Sequence, residues 1–148
     1  MVLAVNISAQ SANKTDKLFQ DYLSIKDALV SDNSAKAATA AGDFMKTLEA
    51  ANQNIPAEQF KALKADAGKI QQSKEIKTQR DAFFGLSDNM VELMKKTKSS
   101  TAAFVQYCPM AKGKWLSSKK DIKNPYYGKS MLECGYVTEE IKYNKRIM

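Results

Sequence analysis

Between Lys14 and Ser100 the apolar residues recur at helical spacing, and each lapse in that rhythm carries residues that begin or end helices. The spacing predicts a first helix over about 14–31, with Leu18, Tyr22, Ile25 and Leu29 on one stripe, Asn13 as its cap and Asp16 in its first turn. Asp32-Asn33-Ser34 then breaks and recaps the chain. A second helix over about 34–52 presents the small-residue stripe Ala37, Ala41, Phe44, Leu48 and Ala51. Pro56 opens a third, whose face is Phe60, Leu63, Ala67 and Ile70. Ser73 is expected to cap a fourth over 74–98, with Ile76, Phe83 and Met90 on one row, Leu86 and Leu93 on its companion, and Lys95, Lys96 and Lys98 in the last turn. Four such stripes joined by short loops can bury themselves only against one another. The expected fold class is therefore all-α, an antiparallel four-helix up-down bundle. Met45, Met90 and Met94 fall at core spacing and read as packing.

Composition narrows the function. The 148 residues contain no histidine, so the commonest general base and the commonest metal ligand are both missing. That excludes histidine triads and most zinc chemistry, and the expectation is a binding protein rather than an enzyme. No apolar run approaches the roughly 20 residues of a membrane span. The net charge of +7 is concentrated late, where residues 101–148 carry nine Lys and Arg against four Asp and Glu. Lys119, Lys120 and Lys123 lie near Tyr126 and Tyr127, but no nucleic-acid-binding motif accompanies them, so they read as a solvated surface.

The first residues, Met1-Val-Leu-Ala-Val-Asn-Ile, form a short apolar stretch ending in small residues at Ser8-Ala9-Gln10. Residues 1–12 are accordingly expected to be the remnant of a signal segment or a disordered terminus, and 13–148 a single domain. An exported chain would hold its cysteines in an oxidising compartment.

Within that domain, 13–100 is the expected bundle and 101–148 an irregular segment packed on it. Residues 102–107 read as extended, and Cys108 to Gly135 holds both cysteines and the only tryptophan. Five of the six tyrosines also follow residue 106. A functional site is expected here.

Cys108-Pro109-Met110 sets a thiol and a thioether two apart, on one face if the segment is extended; Met131 and Cys134 are three apart, the same-face spacing of a helical turn. Cys108, Met110, Met131 and Cys134 would make a soft donor set suited to Cu(I) or Ag(I). A disulfide between Cys108 and Cys134 is the competing reading, since closing a loop of about 27 residues stabilises a fold by roughly 3.5 kcal/mol. Free buried thiols are the third. Tyr107, Trp115, Tyr126 and Tyr127 either shield the sulfurs from water and oxidant or anchor the tail on the bundle.

The runs Phe104-Val-Gln-Tyr-Cys-Pro-Met-Ala111, Gly113-Lys-Trp-Leu-Ser117, Ile122-Lys-Asn-Pro-Tyr-Tyr-Gly128 and Met131-Leu-Glu-Cys-Gly135 resemble the domain-of-unknown-function 3347 family. Tyr22-Leu-Ser-Ile-Lys-Asp-Ala-Leu29 extends the resemblance towards the N-terminus. Members occur alone as exported proteins and fused to periplasmic adaptor subunits of copper and silver efflux systems. The resemblance implies a periplasmic or otherwise exported chain whose partner is an efflux adaptor or another envelope protein, with the same four sulfur residues as candidate ligands. Tyr-Cys-Pro-Met is also similar to the short heavy-metal-binding module of efflux adaptors, with Ala111 standing where that module has histidine.

Overall fold

The computed structural model describes residues 7–97 and 101–142. Four helices come first: α1 (Ile7–Val30), α2 (Ser34–Ala50), α3 (Ala57–Gln72) and α4 (Ile76–Lys96). A 3-10 turn at Asn52–Asn54 links α2 to α3. Each helix packs on the next along the chain, and the predicted stripes supply the contact: Leu18, Tyr22, Ile25, Leu29, Ala37, Ala41, Phe44, Leu48, Leu63, Ala67, Ile70, Phe83, Leu86, Met90 and Leu93 are all fully buried. Burying each Leu, Ile, Phe or Met among them is worth about 1.5–3 kcal/mol, which is why the stripes govern the fold.

Two helix starts differ from expectation. Helix α1 begins at Ile7, so Asn13 lies inside it and is not its cap, and part of the expected terminal segment over 1–12 is helical; residues 1–6 lie outside the described residues. Helix α4 begins at Ile76 with Glu75 at its N-cap. Ser73 instead closes a local turn, its Oγ accepting the Glu75 N–H at 3.0 Å, because a serine hydroxyl bonds the backbone two residues on as readily as it caps a helix. Asn33 does cap α2, with its side chain accepting the Lys36 N–H at 3.0 Å.

The larger correction concerns the last third. The chain is not purely all-α: β1 (Ala103–Cys108), β2 (Gly113–Ser117) and β3 (Tyr136–Ile141) form an antiparallel sheet in the order β2-β1-β3. A slip in register between β1 and β3 leaves Thr138 as the extra residue, and its hydroxyl donates to the Val105 carbonyl at 3.2 Å. Strand β2 packs on α4 and touches α1, occupying the space where those two helices meet only sparsely. Ala103, Val105, Cys108, Trp115, Leu116 and Tyr126 consequently belong to the same hydrophobic core as the helices.

Polar groups lock this arrangement. Trp115 is fully buried, and its indole N–H donates to Gln106 Oε1 at 2.8 Å. Gln106 Nε2 in turn donates to the carbonyls of Lys119, Lys120 and Asp121 at 3.0–3.2 Å, which fixes the loop after β2. Gln79 does the same among the helices, donating to the carbonyls of Ser34, Ile70 and Ser73. Buried amides that satisfy several carbonyls at once specify one arrangement of the chains around them.

Candidate functional site

Strand β1 ends at Cys108, which is fully buried in the core. The chain then turns through Pro109-Met110-Ala111-Lys112, with the Lys112 N–H donating to the Cys108 carbonyl at 2.8 Å and Lys112 itself at φ +57°. It returns as β2 from Gly113, the residue paired with Cys108. This turn directs backbone N–H groups at the Cys108 sulfur, that of Ala111 at 3.3 Å and that of Met110 beside it.

Cys134 arrives from the other direction. A 3-10 turn at Gly128–Met131 leads to it, the Cys134 N–H donates to the Met131 carbonyl at 3.1 Å, and Gly135 follows at φ +141°. A Cβ on Gly135 would stand 2.8 Å from the Tyr107 carbonyl oxygen and 3.1 Å from the tip of the Trp115 ring, so only glycine lets the strand pass here. The outcome is a pair of free thiols with their sulfurs 3.1 Å apart.

Asn124, fully buried, supports both halves of this pair. Its Nδ2 donates to the Cys134 carbonyl at 2.8 Å, its Oδ1 accepts the N–H groups of Tyr126 and Tyr127, and its own N–H donates to Leu132. Asn124 also opens the turn that follows, its carbonyl accepting the Gly128 N–H at 2.9 Å, and nothing in the local sequence marks it as holding a cysteine. Further along, Gly128 adopts φ +57° against the Asp32–Arg80 pair. Arg80 donates to the Pro125 carbonyl at 2.7 Å, to the Leu29 carbonyl at 2.8 Å and to Asp32 Oδ1 at 2.8 Å, and the Lys129 N–H reaches Asp32 Oδ2 at 3.1 Å. The segment bearing Cys134 is thereby clamped to the end of α1 and the start of α4.

The two thiols are not equivalent. Burial pushes the Cys108 thiol up, but the Ala111 N–H, the Cys134 thiol, the Asn124 amide and the Met110 N–H together outweigh it and hold Cys108 below the ordinary thiol range. Cys134 moves up, first because it hydrogen-bonds to Cys108 and then through burial and the charge that Cys108 carries. One contact accounts for both directions: the hydrogen bond between the sulfurs favours ionisation of Cys108 and opposes that of Cys134.

The methionines sit differently from the cysteines. Met110 lies in the turn rather than on an extended strand, so the alternation expected to align it with Cys108 does not operate, and its side chain is 62% exposed beside Phe84, Tyr126 and Tyr127. Met131 ends the 3-10 turn and is 36% exposed. Both thioethers are open to solvent, beside one buried thiol, Cys108, and one part-exposed thiol, Cys134. Of the aromatic residues, Trp115 and Tyr126 are core: Tyr126 stacks on Phe84 with ring centroids 4.1 Å apart and donates to the Lys114 carbonyl at 2.7 Å. Trp115 meets Tyr126 edge-on at 6.0 Å. Tyr107 packs edge-on against Tyr136, and Tyr127 is half-buried.

Among the described residues no cluster of three or more His, Cys, Asp or Glu is assembled. The charged donors available at the site are therefore two thiols, too few for the four-ligand closed sites that zinc prefers and suited to a soft ion content with thiolate and thioether sulfur.

No curated protein and no solved structure matches the chain. One family model does, described as a protein of unknown function (DUF3347), over residues 18–102. That match covers the packed faces of all four helices and stops just before β1, so it speaks for the bundle and leaves the sulfur pair to be judged on its own geometry. With more than half of its length matched, from Leu18 on α1 to the threshold of the sheet, the chain belongs to the DUF3347 family.

Proposed function

We propose that the Cys108–Cys134 pair binds one soft monovalent cation, Cu(I) or Ag(I), and that the protein carries or buffers this ion in support of metal efflux or tolerance. The observation that carries the reading is the 3.1 Å approach of two free thiols, one of them acidified by backbone N–H groups. A thiolate is what a soft metal binds, and a site that already favours the ionised sulfur gives up less on losing the proton. With metal–thiolate bonds of about 2.3 Å, an ion between the sulfurs would open their separation to roughly 4 Å. Cys134, part-exposed and outside any helix or strand, would supply that small opening by a change of side-chain rotamer while its backbone stays held. Met110 and Met131 then serve as thioether ligands or as a first landing place on the solvent side. The short connections between helices support an up-down antiparallel order for the bundle, which acts as the platform.

In this reading the chain is exported, its partner is an efflux adaptor or another envelope protein, and it performs no chemistry on the ion. A second reading has its own support in the same distance: thiols this close oxidise readily to a disulfide, which would make the protein a stapled interaction module whose basic tail meets its partner. Anaerobic native mass spectrometry with one equivalent of Cu(I) separates the two. The metal reading expects a one-to-one adduct of the reduced chain in which both cysteines resist alkylation. Unprotected thiols in the presence of the ion would favour the staple.

A further inference from the structure

We propose a second site, in the pocket between the end of α1 and the loop after β2, that binds a small phosphate-type oxyanion. The pocket has a volume of about 250 Å³, and its lining includes Lys26, Lys119 and Lys123, the hydroxyls of Ser31, Ser117 and Ser118, and the carboxylates of Asp27 and Asp121. Its distinctive member is Lys26, whose side chain is only 8% exposed. The covered alkyl stem fixes its ammonium at the wall of this pocket. The carboxylate beside it, Asp27 at 3.1 Å, is 69% exposed and is its immediate neighbour in sequence, a spacing at which helical side chains do not face each other. One such carboxylate does not satisfy three ammonium protons.

Three lysines stand against two aspartates here. Asp27 offsets Lys26, Asp121 lies 4.0 Å from Lys123, and Lys119 leaves the pocket positive. Of the C-terminal carbonyls of α1, which would repel an anion, three already have donors: Asp27 from Ser31, Ala28 from Asn33, and Leu29 from Asp32 and Arg80. Those of Lys119, Lys120 and Asp121 are engaged by Gln106, so the opposite wall is fixed before any ligand arrives. Hydroxyls on both walls add neutral donors. Cations and hydroxyl donors converging from two sides suit a tetrahedral oxyanion with several equivalent oxygens better than a planar carboxylate.

The test is thermal unfolding of the full chain against inorganic phosphate, methyl phosphate and acetate at constant ionic strength. Phosphate is expected to raise the melting temperature saturably, and acetate to have little effect. Tighter binding of methyl phosphate than of phosphate identifies an organic phosphate ester as the natural class, and the reverse order identifies the free ion. Lys26→Met should fold and lose the phosphate response, and the Lys119→Gln, Lys123→Gln pair should weaken binding about fivefold. Lys64→Gln on α3, paired with Glu49 elsewhere, should bind as wild type does. In the wild-type protein, amide shift changes on adding phosphate should cluster at Ser31 and at 117–123, a readout that holds if Lys26→Met fails to fold. A linear, unsaturated response, acetate binding as tight as phosphate, or a Lys26→Met response equal to wild type would overturn the site.

Discussion

The Tyr22 hydroxyl on α1 lies 2.7 Å from Ser87 Oγ on α4 and accepts the Leu116 N–H of β2 at 3.0 Å, so one phenol oxygen joins the first helix, the last helix and the sheet. Its ring also stacks on Phe83 at 5.1 Å. Tyr22→Phe keeps the ring and removes the oxygen, leaving a backbone N–H and a serine hydroxyl unpaired in a dry core. The expected loss is about 1–3 kcal/mol, read by denaturant unfolding. Burial, set against smaller effects of Ser87 and Leu116, holds the phenol well above the usual tyrosine range. A proton held more tightly by the folded state stabilises fully below the unfolded tyrosine pKa, and that stability is lost as pH rises through and beyond it. The Phe variant should lack this part of the alkaline loss.

Since the sheet shares the core of the helices, removing residues 101–148 uncovers the contacts of Tyr22 and Phe83 with Leu116 and Tyr126. The truncated chain should keep helical circular dichroism but unfold broadly and bind an apolar dye. A transition as sharp as that of the full chain would mean the bundle is complete without the sheet. The sequence-based expectation that four stripes account for the whole core is corrected by Trp115, Leu116 and Val105, all buried among them.

Asp32 gives the acid limb of stability. The Arg80 hydrogen bond first, and the Lys129 N–H next, hold its carboxyl below the usual carboxylate range. A lowered folded pKa contributes stability that is present above the unfolded value near 3.9 and lost as pH falls through the folded one. Asp32→Asn should cost about 1–2 kcal/mol at neutral pH, a partly exposed ion pair being worth less than a buried one. The gap from wild type should close as pH falls below the usual carboxylate range in an unfolding series across pH.

Asn124→Ala removes the donor to the Cys134 carbonyl and the acceptor for two tyrosine N–H groups. It also removes one of the groups that lower the Cys108 pKa. The thiolate absorbance of the reduced variant should therefore titrate at higher pH than in wild type. An unchanged midpoint would assign the acidity of Cys108 to the turn N–H groups and the Cys134 thiol.

How much of this could be read in advance follows from periodicity. The helices announced themselves because one-sided burial repeats along Leu18, Tyr22, Ile25 and Leu29, or along Leu86 and Leu93. Of the strands only β1 showed in advance, as the extended reading of 102–107; β2 is five residues long with four of them buried, and β3 is exposed along Tyr136–Glu140. None shows the alternation that marks a half-buried strand. The pairing of Cys108 with Cys134 was legible as a possibility, whereas their unequal ionisation depends on where the N–H groups of Met110 and Ala111 point. The clamp of Arg80 on Asp32 joins residues 48 apart and left no local sign.

Trp115, the sole tryptophan, approaches the chain next to Cys134 through the contact at Gly135. Its emission should be that of a buried indole and should change on adding one equivalent of Cu(I) to reduced protein, saturating at one-to-one. Cys134→Ser should abolish the change while leaving the starting emission in place.

The most direct test of the account is anaerobic Cu(I) titration of the reduced protein against a competing chelator, comparing wild type with the Cys108→Ser, Cys134→Ser double variant. The account predicts one tightly held ion in wild type and none in the double variant. Met110→Leu and Met131→Leu, which conserve volume at exposed positions, should weaken binding while stability changes by under about 1.5 kcal/mol. Equal copper affinity in wild type and the double variant would contradict it.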